Sequence, residues 1–269
     1  MLTQSAVPET APICPDHDGE PSTGTCERCG RFLCKQCAQP QVGVCVPCHA
    51  RQLQSLPHTT GRAKWTLGGL YTGVAVAALT GLLHVWLYLG LEDGFTPSQE
   101  NAETFDALNA QLVLASSIVS IVTAISFLRW QYLSVKVARA TGVSTEEPRW
   151  AMVVWFIPIY NLVKPYAVMR DLWLNLGGAP ARKVLLLGWW AAWLISNGTS
   201  NASASMFNMI ESIPKIIPVL LIAGMIAEAL NVLAAVLCIR VIKDIESMLV
   251  SRRAGLDAII ARADARTSA

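Results

Sequence analysis

Cys14-Pro-Asp-His17, Cys26-Glu-Arg-Cys29, Cys34-Lys-Gln-Cys37 and Cys45-Val-Pro-Cys48 decide how this chain is read. Two ligand-type residues separated by two others form a tight knuckle that aims both side chains at one metal ion. Four such pairs supply eight ligands, the complement of two tetrahedral sites, and they take seven of the eight cysteines. In an oxidising compartment the same thiols would form disulfides. Residues 1–12 are polar, without the basic and apolar regions of a secretory signal. The thiols are therefore expected to stay reduced and to bind zinc, two ions per chain.

The intervals between pairs are eight, four and seven residues. Four residues, Gly30 to Leu33, are too few to finish one site comfortably and open the next. That favours a cross-brace: Cys14, His17, Cys34 and Cys37 on one zinc, Cys26, Cys29, Cys45 and Cys48 on the other. Sequential pairing stays open, as does His49 in place of Cys48. Gly30 follows Cys29, where a knuckle turns into the left-handed conformation.

This pattern resembles the B-box zinc finger over roughly residues 12–50. That family also runs Cys-x-x-His, Cys-x-x-Cys, four residues and Cys-x-x-Cys, though its last pair often holds histidines where this chain has Cys45 and Cys48. The resemblance implies a protein-interaction module, with Arg28, Arg31, Phe32 and Lys35 as its exposed face. Both sites are filled by protein ligands and keep no open position for a substrate or water. The zinc is expected to be structural and the chain not to be an enzyme. No dinucleotide-binding, P-loop, nucleophile-elbow or zinc-protease motif appears.

Beyond the module the composition changes. Hydrophobic residues make up 53% of the chain and charged residues 15%, against a usual charged share of roughly 25%. The formal net charge is +2, and two zinc ions with seven thiolates would shift it to about −1. Neither value suits a nucleic-acid binder. Residues 1–11 read as disordered, 12–50 as the zinc module, 51–64 as a linker, 65–250 as a membrane domain and 251–269 as a charged tail. Apolar runs predict spans at about 66–91, 108–128 and 216–239, and the distribution of basic residues adds a fourth at about 184–204. The first is about 39 Å long as helix, ample for a core of about 30 Å.

Two segments are too short to be assigned by hydropathy: Trp150 to Leu162, broken by Pro158, and Val184 to Ile195, followed by the polar tail Ser196 to Ser205. Basic residues gather on the cytoplasmic side, and the acidic loop at 92–107 holds no Lys or Arg. If 184–204 crosses and 150–163 does not, Lys215 alone is outside and 20 of the 21 basic residues are inside. Crossing at 150–163 instead leaves 16, and crossing at both leaves 11. The expectation is a multi-pass protein of the cell membrane with four spans and both termini cytoplasmic. Residues 150–176 then form a membrane-dipping stretch and an amphipathic interfacial helix bearing Tyr166, Met169, Leu172, Trp173 and Leu176.

Phe156-Ile-Pro-Ile-Tyr-Asn161-Leu-Val-Lys-Pro165-Tyr, with Trp150 before it and Met169-Arg-Asp-Leu-Trp173 after it, resembles the signature of a bacterial membrane family, domain of unknown function 4328. Phe127-Leu-Arg-Trp130 and Trp189-Trp190 match its general look. The resemblance covers roughly residues 65–250 and implies an architecture without an activity.

The fold class expected is thus a small zinc-stabilised cross-brace joined to an all-α polytopic membrane domain. Its function would be to display a cytoplasmic zinc module to a protein partner. An ionisable side chain inside a membrane is a functional candidate, so the alternative is a small transporter or sensor. That alternative uses Glu228 and His84, with Asn231 and Asn161 beside them and the zinc finger as its regulator. Gly69, Gly73, Ala77 and Gly81 form a small-residue stripe that suits close helix packing, within the bundle or in a homo-oligomer.

Overall fold

A computed structural model describes residues 12–37, 43–92, 99–141, 144, 146–207 and 217–268. The expected disordered N-terminus, Asp93 of the acidic loop and Lys215 lie outside the described residues. The chain divides into two compact units, Met1–Pro57 with Val250–Ala269, and His58–Leu249.

The first unit has little regular structure. A bridge joins Ile13 to Pro21. An antiparallel pair, β1 (Gly24–Thr25) and β2 (Phe32–Leu33), sets Gly24 opposite Leu33 and Thr25 opposite Phe32. Helix α1 (Val46–Gln54) starts just after Cys45 with Pro47 in its first turn, where the missing N–H costs nothing. Leu33, Val44 and six cysteines form one buried cluster of this unit, and Ala50 and Leu53 of α1 are buried as well. The end of the chain joins this unit. Arg51 pairs with Asp264, the Gln54 amide donates to Asp257, and an Arg253 N–H reaches the Leu56 carbonyl at 2.9 Å. The charged C-terminal stretch, read from the sequence as a short amphipathic helix over Lys243 to Arg266, is helical and forms the end of α7 (Ile217–Ser268). The linker expected at 51–64 is also mostly helical, taken up by the end of α1 and the start of α2.

The second unit holds α2 (Thr60–Glu92), α3 (Gln99–Ala140), α4 (Pro148–Val153), α5 (Lys164–Asn175), α6 (Lys183–Phe207) and the first part of α7. Glycines show how the long helices run. A Cβ on Gly69 would lie 2.2 Å from Thr123 Oγ1, and one on Gly73 would meet Val119, so α2 and α3 are antiparallel and pressed close. Gly81 faces Glu228 and Gly224 faces His84, so α2 and α7 are antiparallel as well. Thr59 and Thr60 meet Glu246 in the same register.

Among the described residues three helices are long and apolar enough to cross a membrane: Thr60–Leu91, Glu103–Ala140 and Ile217–Ala265. Apolar side chains stud their outer faces, among them Leu82 at 64% exposure and Ile121 at 61%. Water penalises such a surface and a bilayer does not. Helix α6, expected as a further span, is not among the three.

The packed core lies at one end of the unit. It joins the last third of α3, α4, α5, the first half of α6 and the α7 stretch Cys238 to Leu249. Here the structure differs from the sequence reading. Met169, Leu172 and Trp173 of α5 are at most 2% exposed and pack inward on this core, leaving no apolar face of α5 for a lipid interface. The exposed apolar residues come just before it: Phe156, Ile159, Leu162 and Val163. Pro158 and Pro165 explain the division. They break the helix, so 156–163 runs outward through turns and a short 3-10 helix at Tyr160–Leu162 before α5 restarts.

Candidate metal centres

The eight sequence-predicted ligands fall into two groups. Cys14, His17, Cys34 and Cys37 form one; Cys26, Cys29, Cys45 and Cys48 form the other. In each, all ligand atoms lie within 4.8 Å of one another. Alternate pairs therefore share a site, and His49 belongs to neither. The hairpin sets this arrangement, because β1 leads the chain from the first group into Cys26 of the second and β2 returns it to Cys34 of the first.

The distances fit a tetrahedral ion. Bond lengths of about 2.3 Å to sulfur and 2.05 Å to nitrogen require edges of about 3.8 Å between sulfurs and 3.6 Å between nitrogen and sulfur. Cys14 and Cys37 sulfurs are 3.6 Å apart, and Cys29 and Cys45 sulfurs 3.8 Å. His17 Nδ1 is 3.2 Å from Cys37 Sγ and 3.5 Å from Cys34 Sγ. A disulfide would hold its sulfurs at about 2.05 Å, and all these cysteines are free.

The knuckles carry the supporting bonds. The Cys45 N–H donates to Cys26 Sγ at 3.3 Å. Gly30 takes φ +71°, and its N–H closes the turn onto the Cys26 carbonyl at 2.8 Å. Of the expected partner-facing residues, Arg31 is engaged by Asp16 at 3.3 Å, and Arg28 donates to the Cys48 carbonyl at 3.4 Å. Phe32 and Lys35 are exposed.

Protonation also favours a cation. Burial raises the Cys14 thiol, but the Asp16 backbone N–H, His17 and neighbouring donors outweigh it and bring the thiol down to about 6. Cys26 is likewise raised by burial and brought down to about 6 by the backbone N–H groups of Cys45, Cys29 and Arg28. Cys37 and Cys48 are pushed up to about 12 by burial and by the thiols packed against them. Thiolates in contact cannot all be ionised without a cation at their centre. With the ligands gathered, Cys14 and Cys26 thus favour the thiolate and Cys37 and Cys48 the thiol until a cation arrives. Each site must release at least one proton on binding metal, and affinity should fall by at least about tenfold per unit of acidification. Calorimetric titration of zinc in two buffers of different ionisation enthalpy counts those protons; a count of zero would contradict the assignment.

The membrane candidates are less well gathered. His84 is 7% exposed, packs on Gly224, and its Nδ1 finds no hydrogen-bond partner. Glu228 packs on Gly81 of the same interface, with Asn231 in reach of its carboxyl group. Asn161 is not with them. It lies in the turn before α5, where its N–H meets the Ile157 carbonyl at 2.8 Å and its Oδ1 is buried without a partner.

Sequence reading missed Glu246. One oxygen accepts the Thr59 and Thr60 hydroxyls at 2.9 and 2.8 Å, the other the Trp130 indole N–H at 3.1 Å. This carboxylate joins the starts of α2 and the ends of α3 and the apolar part of α7. Beside it the rings of Phe127, Trp155, Trp189, Trp190 and Trp193 pack in a chain of contacts with centroids 4.8 to 6.4 Å apart. Trp155 donates to buried Gln131 at 2.8 Å and Trp190 to the Leu162 carbonyl at 3.0 Å.

The family model described as "Domain of unknown function (DUF4328)" matches residues 94–247, more than half of the chain. The chain belongs to this family. A second model, the B-box zinc finger, matches residues 9–44 and stops one residue before Cys45, where the last pair departs from the histidines frequent in that family. No curated protein and no solved structure matches the chain. The DUF4328 match takes in α3 to α6, the indole cluster and Glu246, and leaves α2 and the zinc module outside. The aromatic residues of the stretch Phe127 to Trp130, Phe127 and Trp130 themselves, and the paired tryptophans Trp189 and Trp190 thus lie in the core of the DUF4328 domain, each at most 9% exposed, while Arg129 is exposed.

Proposed function

We propose that this DUF4328 protein is a non-enzymatic integral membrane protein that presents a double-zinc module to a protein partner in the cytoplasm. The observation that carries the reading is the closed donor set: two clusters of four protein ligands leave no coordination position for a substrate. Each cluster holds one zinc, two per chain, and the metal acts by fixing the shape of the surface around it. Partner capture by the full-length protein tests this. A protein retained by wild type, and lost both with chelator and in Cys26→Ser, is the expected result; retention by the metal-free form would refute the role of the module.

Four crossings place both termini in the cytoplasm. Helix α6 supplies the fourth: at 25 residues it is about 37 Å long. The antiparallel packing of α2 on α7 supports putting residue 60 and residue 246 on one side. Thiol labelling from outside should reach a cysteine placed at position 103 and miss one placed at Arg170 in chains whose zinc ligands are intact. Labelling at Arg170 would overturn the topology.

The second reading, a transporter built on Glu228 and His84, is favoured by the unpartnered His84 Nδ1 facing the helix that bears Glu228. The two readings separate at one substitution. If Glu228 organises packing, Glu228→Gln keeps shape and hydrogen bonding and leaves assembly unchanged. Glu228→Leu should then cost about 0.6–2 kcal/mol, the range measured for such bonds in membranes. If Glu228 carries a proton, Gln should be as damaging as Leu. Proton flux into liposomes, present in wild type and lost in Glu228→Gln, would sink the scaffold reading.

A further inference from the structure

Where α2 meets α3, a cleft of about 540 Å3 opens on the outside of the pair. Its volume falls in the range of sites that bury a small ligand, ~300–1,000 Å3. Gly68, Gly69 and Thr72 on one side and Ile118, Val119 and Val122 on the other make it apolar along its length. Lys64 and Trp65 close one end, with Trp65 72% exposed.

The charge at that end says what would lie there. None of the lining residues is acidic, and Lys64 makes no ion pair among the described residues. Arg62 is two residues before it. On the α3 side, the register that sets Gly69 against Thr123 and Gly73 against Val119 brings Arg129 level with Ala63, the neighbour of Lys64. Lys64, with Arg129 of α3 level with its neighbour, thus puts basic charge at one end of an apolar slot, beside a tryptophan of the kind that sits at headgroup level. Lys64 to Thr72 spans about 12 Å of helix, which lets a chain descend from a headgroup held at Lys64 along the glycines.

We propose that this cleft binds one anionic phospholipid of the cytoplasmic leaflet. Its phosphate sits between Lys64 and Arg129 and its acyl chain lies over Gly68 and Thr72. Such basic niches between spans suit anionic headgroups. The inference rests on the reading of α2 and α3 as membrane spans.

Glycine geometry supplies a clean blocking variant. A Cβ on Gly68 meets nothing within 4 Å, so Gly68→Leu should fill the slot without moving a helix, whereas Gly69→Leu would drive into Thr123. The experiment places a photo-reactive benzophenone side chain at Ile118 of the full-length protein. Vesicles of phosphatidylcholine with a minority of phosphatidylglycerol hold the protein, and adducts are identified by mass. Phosphatidylglycerol adducts should exceed their share of the bilayer by about fivefold or more, the weight of one basic residue near an anionic surface. Lys64→Gln with Arg129→Gln should return them to that share, and Gly68→Leu should suppress adducts of both lipids. Adducts in proportion to the bulk lipid, or a crosslink to a second copy of the chain, would overturn the site. Alkaline carbonate extraction of the same vesicles separates the two failures. A chain that washes off loses its spans and the site together; a chain that stays with unselective adducts loses the site alone.

Discussion

Cys34→Ser should lower bound zinc from two equivalents to one and unfold much of the N-terminal module. Cys34 is fully buried, and its sulfur lies 3.5 Å from His17 Nδ1 within the first cluster. Among the described residues the buried aliphatic side chains of the module are few: Leu33 and Val44 beside the cysteines, and Ala50 and Leu53 on α1. At ~1.5–3 kcal/mol for each of the larger ones, they cannot order a segment that loses ~1–2 kcal/mol of backbone freedom per residue. The metal must make up the difference, and structural zinc contributes about 10–16 kcal/mol at neutral pH. Because the pairs interleave, the loss should also reach the second site. Cys26 and Cys29 sit at the turn end of a hairpin whose other end leads into Cys34. Residual zinc should therefore bind more weakly than in wild type and leave at lower chelator concentration. Metal analysis of the full-length protein, with amide exchange across residues 12–54, reads both effects. Two zinc equivalents, or exchange protection unchanged after chelation, would dispose of the assignment.

The two clusters of candidate metal ligands were legible because knuckle chemistry is local. Residues three apart must serve one ion, and the four-residue interval before Cys34 bears on the pairing without knowledge of the fold. Apolar runs were legible for a similar reason, since they need only length and composition, yet they locate the membrane-facing part of a helix and not its ends. Helix α3 extends to Gln99 and Ala140, well beyond the apolar run 108–128. What stayed hidden depends on distant residues. Asp257 and Asp264 look like any solvated tail until Gln54 and Arg51 are found against them. The stripe of α5 has the same spacing whether it faces lipid or a protein core, and only the neighbouring helices decide. Glu246 stands in a charged stretch between Asp244 and Arg252, with nothing nearby to show that three donors from two other segments converge on it.

Trp130→Ala should be the most damaging single change in the helical unit, lowering stability by about 3–5 kcal/mol. Its side chain has no exposed surface, packs 5.8 Å from the Phe127 ring and donates its indole N–H to Glu246. Truncation opens a cavity at the centre of the core and deprives the carboxylate of one of its three donors. Trp130→Phe separates the two losses. It keeps most of the ring and removes the N–H, so only the cost of a missing bond to a buried acceptor, about 1–3 kcal/mol, should appear. Glu246→Leu attacks the same node from the other side and leaves the Thr59 and Thr60 hydroxyls and the indole without their acceptor. It should be worse than Trp130→Phe, because the two hydroxyls and the indole lose one partner together. If the node acts as one unit, the double variant Trp130→Phe with Glu246→Leu should cost less than the sum of its parts. Thermal unfolding of the purified protein in detergent, followed by tryptophan fluorescence and by far-ultraviolet dichroism, gives the ranking. Wild-type melting for Trp130→Ala, or strict additivity in the double variant, would show that the three segments are held together by something other than this carboxylate.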